Sequence, residues 1–451
     1  MTPNVVSARQ MPPGTPEVPV AIVGAGACGL TAALILRDAG IACVLLERAA
    51  RAQGSTALSS GFIPAAGTRV QHEAGVTNDS ADLFAQDIQA KARGTAASHL
   101  VAAYTGAIAP AMDTLQSRHG LAFELLGGFL YPGHSVLRMH TLPQRTGAAL
   151  VAALDAAAVR AGAMLMTDAR VFELWRDDTG RVIGIGYRRP DGTVERLACH
   201  ALLLACNGFG GNRAMVRELL PQMGNALYGG HVGNDGSAIV WGRQLGARLA
   251  DLGGYQGHGS WAVPQGALIS WALMMEGGVQ VNAEGRRFHD ETGGYSEASV
   301  HVLAQPGGVA WNVLDPRLLT LARTFPDFLG AEAGGAVRHA VDTRALAALI
   351  GCDAVTLATT LADTRLTAPY GAIKVTGALF HTQGGLDIDA QCRVLRDDGT
   401  PFLGLLAAGG AARGVSGNAV WGYLSGNGLL SALAGGYIAA RTAAAHIGGY
   451  P

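Results

Sequence analysis

The sequence predicts an α/β fold in which a parallel-sheet domain is interrupted by a second domain of α+β character. Three observations carry this. An apolar strand, a glycine-rich turn, a helix and a second apolar strand follow one another between Val18 and Glu47. From Gly253 to about His381 the character changes to aromatics, loops and prolines. The strand pattern then returns and ends in a long Ala/Gly-rich helix to His446. At 451 residues the chain exceeds one simple core. The expected organisation is a discontinuous first domain, 18–252 and 382–451, around an inserted domain, 253–381.

The first 17 residues are proline-rich and lack an apolar run, so they read as a disordered leader, not a signal peptide. No stretch reaches the roughly 18 unbroken apolar residues of a transmembrane helix, which argues against a membrane span. The formal net charge of -1 gives no electrostatic reason to expect nucleic acid or an anionic membrane as partner. Six cysteines stand without a C-x-x-C and read as buried free thiols of a cytoplasmic protein. The histidines show no ligand spacing, so no metal site is expected.

The first unit is the most specific. The run Val18–Val23 reads as a buried parallel strand. Gly24-x-Gly26-x-x-Gly29 follows, then a helix to about Ala39, Gly40 as its stop, and a strand Ala42–Leu46 ending at Glu47. The first glycine allows the tight turn, the second lets a pyrophosphate approach the backbone, and the third lets helix and strand pack closely. Phosphates favour the helix N-terminus, where N–H groups and the dipole attract anions. Glu47 lies 18 residues past the last glycine, where an acid accepts from ribose hydroxyls. In this context the motif predicts a dinucleotide.

The segment "GSTALSSGFIPAAGT", Gly54–Thr68, has the small and hydroxyl residues of a second cofactor-lining stretch. From about Ser80 to Gly162 the pattern is helical, with Asn78/Asp79 and Thr146 as helix starts and an irregular loop, Leu130–His140, between. Strands with Asp-Gly turns follow, then an apolar strand Ala201–Ala205, a glycine-rich exit and one more helix in "GNDGSAIVWGRQLGA". No second G-x-G-x-x-G follows a strand, which argues against a built-in NAD(P)H site.

Several stretches, in order, resemble one family: "VGAGACGLTAALILRDAG", "GSTALSSGFIPAAGT", "LACNGFGGN", "VNAEGRRFHDE", "IKVTGALFHTQGGLDID" and "GLLAAGGAARGVSGNAVWGYLSGNGLLSAL". The chain is similar, from about Pro19 to Arg441, to the FAD-binding flavoproteins that include soluble fumarate reductases and 3-ketosteroid dehydrogenases. The resemblance implies a Rossmann-like FAD-binding domain with an inserted cap over the flavin, and hydride exchange between flavin N5 and a C–C bond. It implies cofactor contacts at Gly24, Gly26, Gly29, Glu47, Arg48, Ser55, Thr56, Ser60 and Gly61. Further contacts are implied at Val171, Asn207, Gly208, Gly409, Gly426, Asn427 and Leu429. No histidine stands in "GSTALSSG", so FAD is expected without a covalent tether.

The departures point to a substrate. Fumarate reductases carry an acid arginine after "EGRRF" and a carboxylate-clamping arginine in the stretch matching "WGYLSGNGLL". Here the matching residues are Tyr295 and Tyr423. A phenol does not replace a bidentate arginine clamp, so a dicarboxylate is disfavoured and the ketosteroid-dehydrogenase side is favoured. The pattern Tyr423-Leu424-Ser425 resembles the Tyr-x-Ser of a 4-dehydrogenase branch. His258 and His381 match family histidines, while Gly410 stands where a glutamate is common.

Removing two hydrogens beside a ketone needs a base at the α carbon, a hydride acceptor and a donor at the ketone oxygen. The candidates are Tyr423, Tyr295, Ser425, His258, His381 and Tyr131, with Gly426–Gly428 N–H groups as oxyanion donors. Each has a plain alternative: Tyr423 as a core aromatic, Tyr295 as a surface residue in a polar loop, Ser425 as a helix N-cap, both histidines as structural. Trp421 and Trp261 read as apolar walls, Arg138 and Arg287 as structural salt-bridge or cofactor residues, and Arg413 as the nearby arginine able to take an anion. The expected partners are a small cyclic ketone, 3-oxosteroid or cyclohexanone-like, and an electron acceptor that the residues do not identify. The alternatives are a fumarate-type enoate reductase and a flavin-carrying subunit that depends on a partner.

Overall fold

The computed structural model describes residues 2–448. Its larger sheet has nine strands, with Glu17–Val23 near the centre. This strand pairs in parallel with Cys43–Leu46 on one side and Val194–Leu204 on the other. Pro401–Ala407, from the far end of the chain, also pairs in parallel with Val194–Leu204. The helix Ala27–Asp38 packs between this sheet and the closing helix Asn427–Ile447. Glycine chemistry allows that closeness. Gly24 has φ +109°, and a Cβ there would lie 2.5 Å from the Ala205 carbonyl oxygen. A Cβ at Gly29 would collide with the Gly24 carbonyl oxygen, so the third glycine serves helix–strand packing.

The smaller sheet has seven strands around the long strand Tyr370–Thr382. Tyr255–Ala262, Val309–Leu314 and Val337–Ala340 all pair antiparallel with it. Its own core includes Trp271, Trp311, Phe328 and Tyr370, and Tyr423 joins that core from the closing segment.

Three expectations are corrected. The expected disordered leader, 1–17, is ordered over its described part, 2–17: Asn4–Ser7 is a strand parallel to Arg170–Arg176. Val5 packs against the larger core, and β-branched Val5 and Val6 suit a sheet edge that proline-rich composition obscures. The expected boundary at 252 is crossed by Leu227–Tyr228, which pairs with Ala378–Leu379 of the smaller sheet; two residues carry no periodic signal. The helix after Asp79 is capped by Ser80, whose hydroxyl accepts from the Leu83 N–H.

Among the described residues all six cysteines are free, with Cys206 and Cys352 half-buried. Among the described residues no single helix is long and apolar enough to cross a membrane.

Candidate active-site cleft

A cleft of about 1780 Å³, counting the part open to solvent, runs between the two sheets. One end is made by Gly24, Gly26, Glu47 and Arg48, the other by Tyr131, Trp271, Tyr295 and Tyr423. The glycine-rich turn and the tyrosine cluster thus line one continuous cleft.

The nucleotide end has the donor and acceptor set that a dinucleotide requires. Glu47 is buried, and its carboxylate accepts from the N–H of Ala25 (3.0 Å) and of Ala49 (2.9 Å). These bonds lock the acid at the strand end. Ser55, Ser60, Gly61, Val171, Asn207, Gly409, Gly426 and Leu429 line the cleft. Thr56 lines it too, but its hydroxyl already accepts from the Ala27 N–H (3.2 Å), one of the free amides of the first helix. Arg48 donates to the Gly233 carbonyl and to Asp235 (3.1 Å).

Three residues expected at the cofactor do not line the cleft. Gly29 packs helix against strand and does not line the cleft. Gly208 donates its N–H to Asn207 Oδ1 (2.8 Å), and a Cβ on it would strike the Thr382 hydroxyl. Asn427 is buried beneath the turn, donating to Ser416 Oγ (3.0 Å).

The loop "YGGHVGNDG", Tyr228–Gly236, also lines the nucleotide end through Gly229, His231, Asn234 and Asp235. It escaped the sequence reading, although its glycine density was a usable signal. Asn234 donates to Ser55 Oγ (2.8 Å) and Tyr228 (2.6 Å), tying this loop to the Gly54–Ala57 helix.

All six catalytic candidates line the other end. Tyr295 is not in a polar loop: it is buried as the first residue of the helix Tyr295–Leu303. Its ring lies edge-on to Tyr423, with centroids 6.1 Å apart, and stacks on His258 at 4.8 Å. Ser425 does not cap the closing helix; Gly426 holds that place with φ +86° and no side-chain cap. Ser425 is buried and lines the cleft beside these rings. The Gly428 N–H is not free for an oxyanion, since it donates to the Tyr423 hydroxyl at 3.4 Å.

Burial sets the protonation states. It pushes Tyr423 up to about 12, opposed by donors at Gly428, Gly426 and Tyr295. Tyr295 is raised as well, through burial and the Tyr423 neighbour, with Ser425 opposing. Burial pushes His258 down to about 3 and His381 to about 4, so both rings are neutral. The Ser260 N–H donates to His258 Nδ1 (3.1 Å), which leaves the proton on Nε2. The Gln383 amide at 2.7 Å from His381 Nδ1 does the same for that ring. A Cβ at Gly410 would collide with Asn207 Oδ1 and lie 2.7 Å from His381 Nε2, so no glutamate fits at that position here.

Two further expectations change. Trp421 is no wall of the cleft; it is 37% exposed and lies under the Arg93 guanidinium (4.8 Å). Arg413 is not available to an anion, because Asp251 (2.6 Å) and Asp387 (3.4 Å) hold it. Arg138 and Arg287 pair with carboxylates away from the substrate end, and Trp261 packs on Phe380 (5.2 Å). Tyr131 meets Phe129 edge-on (5.2 Å).

Behind the cleft, burial pushes His134 and His140 down to about 4 each. An unfolded histidine titrates near 6.5. The folded state therefore prefers the neutral rings, and this stability is present above pH 6.5 and lost as pH falls toward 4. Each ring accounts for at most about 3 kcal/mol. The melting temperature is expected to fall steadily from pH 7 to 5, and less steeply in His140→Gln. A flat profile over that range would contradict the buried neutral assignment.

The family described as FAD binding domain matches residues 19–429. A probable fumarate reductase of Shewanella frigidimarina is 27% identical over 95% of this chain and 75% of its own length. A 4-oxocyclohexanecarboxylate 2-dehydrogenase of Sinomonas cyclohexanicum is 24% identical over 97% of this chain and 95% of its own. The structure of an open flavocytochrome c3 fumarate reductase superposes with a TM-score of 0.81 at 26% identity, covering 96% of this chain and 79% of that one. A 3-ketosteroid Δ4-(5α)-dehydrogenase of Rhodococcus jostii shares the fold with a TM-score of 0.76 at 24% identity, over 97% and 100% of the two chains.

Proposed function

The chain belongs to the FAD binding domain family and is an FAD-dependent oxidoreductase, and on that premise we propose that it desaturates a cyclic ketone between its α and β carbons. One observation carries this reading. Among the described residues, the arginines lining the cleft are Arg48 and Arg170, both paired with Asp235 at the nucleotide end, and no lysine lines it. The substrate end offers phenols, neutral histidines and apolar walls, which suit a ketone and leave a dicarboxylate without a fixed cation. The Sinomonas relative acts, by its name, on a small cyclic ketone that also carries one carboxylate.

FAD supplies the two-electron acceptor for the β hydride. The protein handles the proton. Tyr423 accepts from the Gly428 N–H (3.4 Å), a donor that stabilises its phenolate, and is assigned as the base for the α proton. Tyr295 and Ser425 keep their protons and serve as donors, to Tyr423 or to the oxygen on which enolate charge builds. The neutral His258, with its proton on Nε2, is a further donor in the same wall. Loss of the α proton and β hydride leaves the C=C bond, and balances.

The raised phenols favour a second reading. A neutral phenol at pH 7 is also a proton donor to carbon, which fits reduction of an enone or enoate. Anaerobic mixing separates the two. Cyclohexanones or 3-oxosteroids are expected to bleach the oxidised flavin, and succinate is not. Reoxidation of the photoreduced protein by fumarate, with no bleaching by any ketone, would overturn the first reading in favour of the second.

A further inference from the structure

The two phenols reach the cleft from different elements, Tyr295 from a helix of the second domain and Tyr423 from the closing segment. One helix, Ala81–Lys91, touches the supports of both. Its last residue, Lys91, donates to the Gly293 carbonyl (2.8 Å) and forms an ion pair with Glu297. Those partners stand two residues before and two after Tyr295. The Lys91 and Glu297 side chains are 13% and 21% exposed, so water screens the pair weakly. Gly294 makes room for it: φ is +121°, and a Cβ would lie 2.9 Å from Glu297 Oε2 and 3.1 Å from Lys91 Nζ.

One turn earlier on the same helix, Asp87 accepts from the Ser135 N–H (3.0 Å) and hydroxyl (2.8 Å) and from Arg138. The loop thus anchored carries His134, whose Nε2 donates to the Ser425 carbonyl (3.0 Å). Asp87 and Lys91 therefore face the same way, at i and i+4. The first secures the turn of Tyr423 and Ser425, and the second secures the helix of Tyr295.

We propose that Lys91 is a positioning residue: a latch between the domains that holds Tyr295 against Tyr423, so that closure of the second domain and assembly of the phenol pair are one event. The latch is a property of the protein alone; its consequence for catalysis rests on the proposed function.

The test uses the FAD-loaded full chain. Lys91→Met is expected to keep its flavin, while amide exchange in 291–303 quickens at least about tenfold, as local opening becomes easier. Flavin reduction by the best bleaching ketone is expected to slow at least about tenfold, the scale of a misplaced reacting group. Lys91→Arg, which reaches both acceptors, is expected to restore both readouts. A double-mutant cycle gives the sharper result. In a Tyr295→Phe background, Lys91→Met is expected to cost nothing further in rate, because it acts through that phenol. Additive losses would assign Lys91 a general structural role, and unchanged exchange would remove the latch. Glu297→Gln repeats the test with the Gly293 contact intact if Lys91→Met does not fold. If no ketone bleaches the wild-type flavin, the proposed function fails while amide exchange still decides the latch.

Discussion

Tyr423→Phe is expected to keep FAD bound and to slow flavin reduction by substrate at least about tenfold, the usual lower loss for a positioned proton-transfer group. The phenol is buried in the second core, so a phenylalanine ring fills its place. The fold loses only the weak acceptance from the Gly428 N–H at 3.4 Å, a net cost of about 1 kcal/mol. The chemistry loses its base. Stopped-flow reduction as a function of pH gives the discriminating result. With Tyr423 pushed up to about 12, the deprotonated fraction grows tenfold per pH unit across the neutral and alkaline range. The wild-type rate is therefore expected to climb with pH from 7 to 10, and the climb is expected to vanish in the variant. Unchanged kinetics would remove Tyr423 from the mechanism.

Arg138→Met is expected to destabilise the protein by about 3–5 kcal/mol, the cost of breaking a buried ion pair from one side. The guanidinium is fully buried, forked onto Asp79 (3.0 and 2.9 Å), paired with Asp87, and stacked over Phe84 (4.6 Å). Methionine fills much of the volume but leaves two carboxylates without their cation. The denaturant midpoint reports the loss. The same charges replaced together, as Asp79→Leu, Asp87→Leu and Arg138→Met, are expected to recover part of it, because the penalty lies in the unpaired charges. A midpoint unchanged by the single substitution would show that this triad carries no stability. Flavin reduction by the surviving folded protein should also slow, since Arg138 donates to His134 (3.4 Å) and His134 holds the Ser425 carbonyl.

Much of the fold was legible because its signals are local. A strand, three spaced glycines, a helix and an acid at the next strand's end lie within thirty residues of Val18, and each letter has a steric or electrostatic reason to be there. The exchange of expected arginines for Tyr295 and Tyr423 was also legible, and it pointed to a ketone before any distance was known. Other parts had no local signal. Asn4–Ser7 is a strand because Arg170–Arg176 offers it an edge. Asn427, expected at the cofactor, is buried with its amide donating to Ser416, eleven residues away in the chain.

By itself the sequence determined the nucleotide unit and the presence of an interrupted first domain, because backbone sterics and residue chemistry act over a few neighbouring positions; the two tyrosines stood out only through the family resemblance. Only the tertiary structure decided which groups meet and in what state. Lys91 reaches residues 202 and 206 positions away, and His134 reaches Ser425 across 291. Burial lifted both phenols and lowered both histidines against their ordinary ranges. Desolvation and through-space hydrogen bonds depend on what surrounds a group, and that is settled only when distant segments pack together.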